Sequence, residues 1–234
     1  MRIYIVRHGQ STNNANQEGL QVIDPPLTDI GRKQALLTSK ALLAENVENA
    51  LLFISPQLRA LQTAGPIRNL LDLKGQVRPD ICEAGGMWQN SGMGAEEILR
   101  ELPEVELSPD IGADGWWRSG SAEEIEEVFY LRAEMVKQDL IGYFDVGAPP
   151  IILVTHGRFG SALASRMLDL NPGGFSRFPF YNCGISRIDI DLHEKVRAYP
   201  PPHGYQLTKN DKFLAVQLRS HSLTSHLPED MITD

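Results

Sequence analysis

The chain has 234 residues, and its 22 basic and 30 acidic side chains give a formal net charge of −8. An acidic surface argues against nucleic acid or an anionic membrane as a partner, because either contact needs a basic face. A chain of this length buries a large core without disulfide or metal support. Cys82 and Cys183 lie far apart without a CxxC spacing, so we expect two reduced thiols.

The N-terminal apolar run "IYIV" is too short for a signal peptide or a membrane span. We therefore expect a cytoplasmic protein, or one directed elsewhere by a presequence that this sequence lacks. No repeats and no low-complexity tract are visible.

The first half of the chain alternates predicted strands and helices. Residues 2–6 are apolar and β-branched, which predicts a buried strand, and a polar loop follows over 9–24. A helix is predicted next, with Thr28 as its N-cap. A second buried strand at 51–55 leads into a helix that Pro56 begins.

The middle of the chain is less regular. Residues 77–81 are compatible with a short strand, and residues 82–120 are rich in Gly, Pro and Trp, which indicates an insertion. Within the insertion, "AEEILREL" predicts one short helix that ends before Pro103. A long helix follows, with Ser121 and Glu124 spaced as a capping box.

The second half repeats the alternation. "PIILVTH" predicts another buried strand, "GRFGSALASRMLDL" a helix, and "ISRIDIDL" a half-exposed strand, whereas residues 195–234 show no clear pattern. Buried strands that alternate with helices predict a three-layer α/β/α sandwich with a mostly parallel central sheet. Ligands of such folds bind beyond the carboxyl ends of the strands.

Chemically reactive side chains follow these strands. Arg7 and His8 come directly after the first strand, and Arg59 lies in the first turn of the helix after the second. Glu83 follows the weaker third segment, and His156 follows "IILVT". In a parallel sheet these positions converge on one crevice, although each residue alone is more often structural.

This combination is suited to phosphoryl chemistry. Arginine binds phosphate oxygens through two parallel hydrogen bonds and keeps its charge, and helix N-termini at Gly9, Pro56 and Gly157 would add backbone donors. A neutral imidazole is a nucleophile for phosphorus, and a second, protonated histidine stabilises the negative charge of the transition state. Glu83 is placed to protonate the leaving oxygen.

Four motifs together resemble the histidine phosphatase superfamily, whose best-known members are phosphoglycerate mutases and acid phosphatases. "RHGQSTNN" resembles its Arg-His-Gly motif, and "DPPLTDIGRKQA" is similar to its D-x-P-L-T-x-x-G-x-x-Q-A segment. "SPQLRALQTA" resembles its S-x-x-x-R-x-x-Q-T-A helix, and "VTHG" its second histidine motif. "SHLPED" resembles a tail often found near the C-terminus of such proteins.

The resemblance implies a phosphoglycerate mutase-like fold of the RHG-motif branch 1, with one domain over 1–234 and an insertion or lid at about 82–120. It implies that His8 forms a phosphohistidine and that Glu83 is the general acid, which afterwards activates water. The mechanism that the resemblance implies needs neither a cofactor nor a metal. The substrate-binding residues it implies are Arg7, Gly9, Gln10, Asn14, Arg59, His156 and Gly157.

The sequence departs from the family pattern at two places. Gln10 stands where a Glu is common, and the acid segment reads "EAGGMWQN", with two glycines and no nearby acidic residue. Glu83 remains the best candidate for the acid, with Glu96 and Glu97 as alternatives.

Several functions stay open at this point. The mutases of this family carry an insertion with extra basic and tyrosine residues, which residues 83–120 lack, so we expect a phosphatase. Met87, Trp88, Trp116 and Trp117 form either a small core under a lid or an apolar wall for the organic part of a phosphomonoester. The alternatives are a mutase, a phosphate-ester binding module without turnover, and, least favoured, a metallohydrolase.

The expected partner is a small phosphomonoester or a phosphoprotein, and sugar phosphates and phosphorylated amino acids are equally compatible with the sequence. The chain itself is expected to be a monomer or a homodimer.

Overall fold

The computed structural model describes residues 1–16, 18–19, 21–87, 90–117, 124–144, 147–170, 178–193 and 213–234. Its strands are β1 (Arg2–Arg7), β2 (Leu51–Ile54), β3 (Gly75–Val77), β4 (Glu106–Leu107), β5 (Ile151–Thr155), β6 (Ile185–His193) and β7 (Phe213–Leu223). Its α-helices are α1 (Thr12–Ala15), α2 (Asp29–Ala44), α3 (Leu58–Leu71), α4 (Ala95–Glu101), α5 (Glu126–Gly142) and α6 (Gly157–Met167).

These strands form one sheet with the order β4-β3-β2-β5-β1-β6-β7. The pairs from β4 to β1 are all parallel, whereas β6 is antiparallel to both β1 and β7. The prediction of a mostly parallel central sheet is therefore confirmed. The central strands β5 and β1 are neighbours although most of the chain lies between them, so their carboxyl ends meet only in the folded protein.

Helices cover both faces of the sheet. Along β1, Tyr4 and Val6 pack into a cluster with α2 and α3, and Ile3 and Ile5 pack into a second cluster with α5 and α6. All four side chains are fully or almost fully buried, which explains why this strand is an unbroken apolar run. Burial of each such side chain stabilises the fold by roughly 1.5–3 kcal/mol. The predicted α/β/α layers are confirmed.

The helix boundaries agree with the sequence signals in one case and differ in another. Thr28 caps α2 as predicted, since its Oγ1 accepts a hydrogen bond from the amide of Gly31 at 3.1 Å. The predicted capping box of α5 is wrong, because this helix begins at Glu126 with Ile125 as its N-cap, and Glu124 lies before it. Ser121 lies outside the described residues. None of the helices in the described part of the chain is long and apolar enough to cross a membrane.

Three other segments differ from expectation. The predicted strand at 77–81 is instead β3 followed by a 3₁₀-helix over Pro79–Ile81, where proline cannot donate to a strand ladder. The unassigned C-terminal region contains the eleven-residue strand β7 and a 3₁₀-helix at Glu229–Met231. On β6, Ser186 and Asp189 are buried beside β7, so this strand is less exposed than its alternating pattern predicts.

Candidate active site

The two site histidines lie side by side because β1 and β5 are paired in register. Arg7 is opposite Thr155, and the amide of His8 donates to the Thr155 carbonyl at 2.9 Å. His8 and His156 therefore leave the sheet at the same level, with ring centroids 5.1 Å apart. His8 is 4% exposed and His156 is completely buried.

The His8 ring is held in one tautomer. Its Nδ1 lies 2.7 Å from the carbonyl oxygen of Gly9, so Nδ1 carries the hydrogen and donates it. Its Nε2 then accepts a hydrogen bond from Nε of Arg59 at 3.1 Å. Burial, together with the positive charges of Arg59 and Arg7, lowers the pKa of His8 well below its usual value. His8 is therefore a neutral imidazole with its lone pair on Nε2.

His156 is anchored by one nitrogen only. Its Nε2 lies 2.7 Å from Oγ of Ser55, which follows β2. Its Nδ1 is buried and has no hydrogen-bond partner within the described residues. Burial, then the charges of Arg59 and the other nearby groups, lowers the pKa of His156 well below its usual value. A buried ring nitrogen without a partner costs free energy, which a bound ligand would recover.

Two buried arginines flank these rings. Arg7 donates through Nη1 to the carbonyl of Phe180, while its Nε is buried without a partner in the described residues. The helix α6 begins at Gly157 beside this guanidinium, and a Cβ at Gly157 would be in ordinary van der Waals contact with Arg7 Nε at 3.4 Å. Burial lowers the pKa of Arg7 and of Arg59, yet a guanidinium keeps its charge in proteins. The site thus holds two positive charges close to each other.

An open cavity of about 270 Å³ lies in front of these groups. Five of the predicted residues line it, namely Arg7, His8, Asn14, Arg59 and Glu83. The other four predicted residues, Gly9, Gln10, His156 and Gly157, do not line it. His156 is completely buried beside His8, with the ring centroids 5.1 Å apart, and Gly9, Gln10 and Gly157 lie next to these two histidines in the chain.

Gln10 does not line the cavity and makes structural hydrogen bonds instead. Its Oε1 accepts a hydrogen bond from Oγ1 of Thr28 at 2.7 Å, and its backbone amide donates to Oε1 of Gln34 at 2.7 Å. Gln10 therefore ties the loop after β1 to the first turn of α2. The predicted helix N-terminus at Gly9 is also wrong, because the short helix α1 begins only at Thr12.

Asn14 presents its amide nitrogen to the cavity. Its Oδ1 accepts hydrogen bonds from the backbone amide of Ser11 at 3.1 Å and from Oγ of Ser11 at 2.9 Å. With the oxygen held on that side, Nδ2 is the atom left to donate to a ligand.

Glu83 lies at the N-terminus of α6. Its Oε1 accepts from the amides of Ala84 at 2.9 Å and Phe159 at 3.0 Å, and its Oε2 accepts from the amide of Arg158 at 3.2 Å. These three backbone donors fix the orientation of the carboxyl group. Glu83 thus shares the cavity with His8 and is held there by the first turn of α6.

The alternative acids are elsewhere. Glu97 caps α4 through a 2.9 Å hydrogen bond from the amide of Gly94, and neither Glu96 nor Glu97 lines the cavity of His8. Glu83 is therefore the carboxylate of this cavity within the described residues. In the same residues, no group of three or more His, Cys, Asp or Glu is arranged to hold a metal ion.

Two glycines let the loop after β1 approach α2 closely. A Cβ at Gly9 would lie 2.6 Å from the carbonyl oxygen of Gly31, and a Cβ at Gly31 would lie 2.1 Å from the carbonyl oxygen of Gln10. Either contact is too short for real atoms, so both positions require glycine.

Several supporting residues were missed in the sequence. Thr63 on α3 accepts a hydrogen bond from the amide of Gly9 at 3.0 Å, and Asn182 donates to the carbonyl of His8 at 3.1 Å. Gln34 also donates to the carbonyl of Met231 at 2.6 Å and so holds the C-terminal segment near the site. Thr63 and Gln34 stand in the quoted motifs, whereas nothing in the sequence around Asn182 indicates its role.

The aromatic residues of the insertion form part of the core. Met87 and Trp116 are buried in the cluster that packs against α2 and α3, and Trp117 packs beside them. None of the three lines the cavity of His8. A Cβ at Gly86 would lie 2.4 Å from the Trp117 ring, so this ring packs on the loop that follows Glu83. Trp88 lies outside the described residues.

The chain is similar to known proteins along most of its length. The family model of the histidine phosphatase superfamily (branch 1) matches residues 3–198. A probable phosphoglycerate mutase GpmB of Yersinia enterocolitica is 28% identical over 198 residues, which is 81% of this chain and 85% of that protein.

Solved structures agree in fold. A mycobacterial glucosyl-3-phosphoglycerate phosphatase in complex with VO3 has a TM-score of 0.61 and 18% identity, with 95% of this chain and 99% of the other covered. A phosphoserine phosphatase mutant of Entamoeba histolytica in complex with phosphoserine has a TM-score of 0.60 and 19% identity, with 97% and 99% covered. Because the family model matches residues 3–198, the chain belongs to the histidine phosphatase superfamily, branch 1.

Proposed function

We propose that this protein is a metal-independent phosphomonoester phosphatase that acts through a phosphohistidine on His8. The observation that carries the proposal is the neutral His8 ring, whose Nε2 lone pair lies beside two buried arginines in an open cavity. A neutral imidazole next to an anion site is suited to nucleophilic attack on phosphorus.

In this proposal the phosphoryl group binds to the donors that have no partner or a replaceable one. Arg7 Nε, His156 Nδ1 and Asn14 Nδ2 would donate to its oxygens, and Arg59 would exchange its hydrogen bond with His8 for one with phosphate. That exchange frees the His8 lone pair. The charge of the bound dianion opposes the effect of the arginines, so it favours a proton on His156.

The reaction then proceeds in two steps. His8 Nε2 attacks phosphorus, the bond from phosphorus to the leaving oxygen breaks, and Glu83 gives that oxygen a proton. In the second step Glu83 accepts a proton from a water molecule that attacks the phosphohistidine. This step breaks the N–P bond and yields inorganic phosphate and free His8.

A neighbouring cavity of about 380 Å³ supports phosphatase over phosphoglycerate mutase activity. It shares Ile23 with the cavity of His8, and its lining includes the carboxylates of Asp24 and Glu97. Its described lining includes no basic side chain. The carboxylate of a phosphoglycerate would be repelled there, whereas a neutral or amine-bearing alcohol would be accommodated. The prediction of a lid over residues 82–120 stays a prediction.

Phosphoglycerate mutase activity is the second candidate, favoured by the name of the Yersinia enterocolitica relative. The two activities differ in product. A mutase converts 3-phosphoglycerate to its isomer in the presence of a bisphosphorylated primer, whereas a phosphatase releases inorganic phosphate. Phosphorus NMR of the mixture separates them.

The proposal is tested by trapping the intermediate. Incubation with a ³²P-labelled phosphomonoester followed by a rapid alkaline quench is expected to leave an acid-labile label on the protein, and His8→Ala should remove both the label and turnover. The same reaction should continue in EDTA. Turnover without a label on His8, or loss of turnover in EDTA, contradicts the mechanism. Absence of turnover with any phosphomonoester would indicate a binding module.

A further inference from the structure

We propose that Arg132 on α5, together with Glu124, is a positioning residue that holds the Glu83 loop in the orientation needed for proton transfer. The inference rests on the proposed function, in which Glu83 is the general acid. Arg132 does not line the cavity of His8, so any effect it has on catalysis must pass through another residue.

Arg132 binds the backbone that leads into Glu83. Its Nη1 donates to the carbonyl oxygens of Asp80 and Cys82, each at 2.9 Å, and its Nη2 lies 3.4 Å from the carbonyl oxygen of Glu83. One guanidinium thus contacts three carbonyls within four residues. These hydrogen bonds set the direction in which the chain leaves the 3₁₀-helix after β3.

Glu124 binds the backbone that follows Glu83. Arg132 Nε and Nη2 donate to its two oxygens at 2.8 and 2.7 Å, and Glu124 Oε2 accepts from the amide of Gly85 at 3.2 Å. The Glu124 side chain is 5% exposed and that of Arg132 15% exposed. The ion pair is therefore largely shielded from solvent and fixes the loop on both sides of the acid.

The same guanidinium also contacts the helix that holds the Glu83 carboxylate. Arg132 lies 4.9 Å from the centre of the Phe159 ring, and the backbone amide of Phe159 donates to Glu83 Oε1. Arg132 thus links the backbone of the acid to the partner of its carboxylate.

The loop depends on this clamp because its own backbone is permissive. Gly85 and Gly86 have φ angles of +80° and +55°, and glycine populates many other conformations at little cost. Lysine cannot replace Arg132 fully, because it offers three donors from one point rather than five in a planar fork.

The central test compares two substrates with Arg132→Met. We expect kcat/KM, which reports the step in which the leaving group departs, to fall by about 10- to 100-fold for an alkyl phosphate and by less than about 3-fold for nitrophenyl phosphate, since a poor leaving group depends more on general acid catalysis. KM for both substrates should change by less than about 3-fold, because Arg132 does not touch the phosphoryl group. Arg132→Lys should recover part of the lost rate on the alkyl phosphate.

Two further variants separate positioning from stability. Glu124→Gln retains the size of the side chain and should lower kcat/KM selectively for the alkyl phosphate, by less than Arg132→Met does. This variant provides the test even if Arg132→Met folds poorly. Arg166→Met removes another arginine that packs on an aromatic ring of α5, 5.3 Å from the centre of Tyr130. The Arg166→Met variant should be less stable in urea, and any change in its kcat/KM should be the same for both substrates.

Comparison with Glu83→Gln distinguishes failure of this inference from failure of the proposed function. If Glu83→Gln lowers kcat/KM equally for both substrates, Glu83 is not the acid and the proposed mechanism is wrong. If the loss of kcat/KM differs between the two substrates in Glu83→Gln but is the same for both in Arg132→Met and in Glu124→Gln, the inference alone is overturned. Support requires that adding Arg132→Met to Glu83→Gln causes little further loss on the alkyl phosphate, because both changes remove the same proton transfer.

Discussion

The phosphate side and the acid side of the cavity are held in place by different kinds of contact. On the phosphate side, Arg7 is the last residue of β1, His8 and His156 follow the paired strands β1 and β5, and Thr63 and Asn182 bind the backbone beside them. On the acid side, Glu83 lies on a loop with two glycines at positive φ, whose backbone is bound by side chains from before and within α5.

This difference has a consequence for function. A side chain that follows a buried strand is fixed by the sheet, so changes near it disturb binding and chemistry together. A side chain on a permissive loop is fixed by a few polar contacts, so changes there can alter proton transfer while the phosphate site stays intact. The variants below probe each side separately.

The largest effect is expected on the phosphate side. Arg59→Met removes a buried positive charge beside Nε2 of His8, and kcat/KM should fall by about 10³-fold on alkyl and nitrophenyl phosphates alike, as for loss of one transition-state donor. Steady-state kinetics with both substrates measures this. Arg68→Met is the control, because it changes an arginine of the same helix that pairs with the exposed Glu104. A similar loss in the control would mean that α3, not the charge, is responsible.

A smaller and selective effect is expected on the acid side. Glu83→Gln keeps the side-chain size but removes the proton, so kcat/KM for an alkyl phosphate should fall by about 10²-fold. The loss on nitrophenyl phosphate should be at least about 10-fold smaller, because that leaving group departs without a proton. Glu96→Gln, on α4, is the matched control and should change neither rate by much, because Glu96 is exposed and lines neither cavity. Equal losses for both substrates in Glu83→Gln would remove the distinction between the two sides.

Substitution of a glycine on each side should change the stability of the protein by different amounts. Helix propensity alone predicts that Gly31→Ala stabilises α2 by about 1 kcal/mol. The new Cβ would lie 2.1 Å from the Gln10 carbonyl oxygen, and such overpacking costs about 3 kcal/mol, so we expect a net loss of about 2 kcal/mol.

Gly85→Ala is the counterpart on the acid side. Its Cβ would meet nothing within 4 Å, so only the positive φ opposes it, at about 1 kcal/mol. Urea denaturation of both variants measures the difference. A larger loss for Gly85→Ala would mean that the acid loop is the more constrained side.

The last expected effect is the dependence of stability on pH. Burial holds the pKa of His8 and of His156 below the value of the unfolded chain, so on acidification the unfolded state takes up protons first. Stability should therefore fall as the pH drops below about 6.5, by up to about 1.4 kcal/mol per pH unit for each histidine. Urea midpoints between pH 7.5 and 5.5 should decrease less steeply for His8→Gln than for the unchanged protein. Parallel curves would show that His8 is not held neutral.

Much of the phosphate side was predictable because strand ends are local features. Arg7, His8, Arg59 and His156 each stand directly after an apolar run or in the next helical turn, and parallel pairing brings such positions together. Gln10 was misplaced because its neighbours along the chain say nothing of Thr28, which reaches it from the start of α2. Asn182 was missed for the same reason, since it bonds to His8 across most of the chain.

The sequence by itself determined the alternation of buried strands and helices, the residues at the ends of the buried strands, and the family. These follow from periodicity and motif, which depend on residues near each other in the chain. Only the tertiary structure decided which nitrogen of His8 is free, where the Glu83 carboxylate points, and that Arg132 and Glu124 hold its loop. Those features depend on hydrogen bonds between distant segments, and a pattern of neighbouring residues carries no record of which distant donor meets which acceptor.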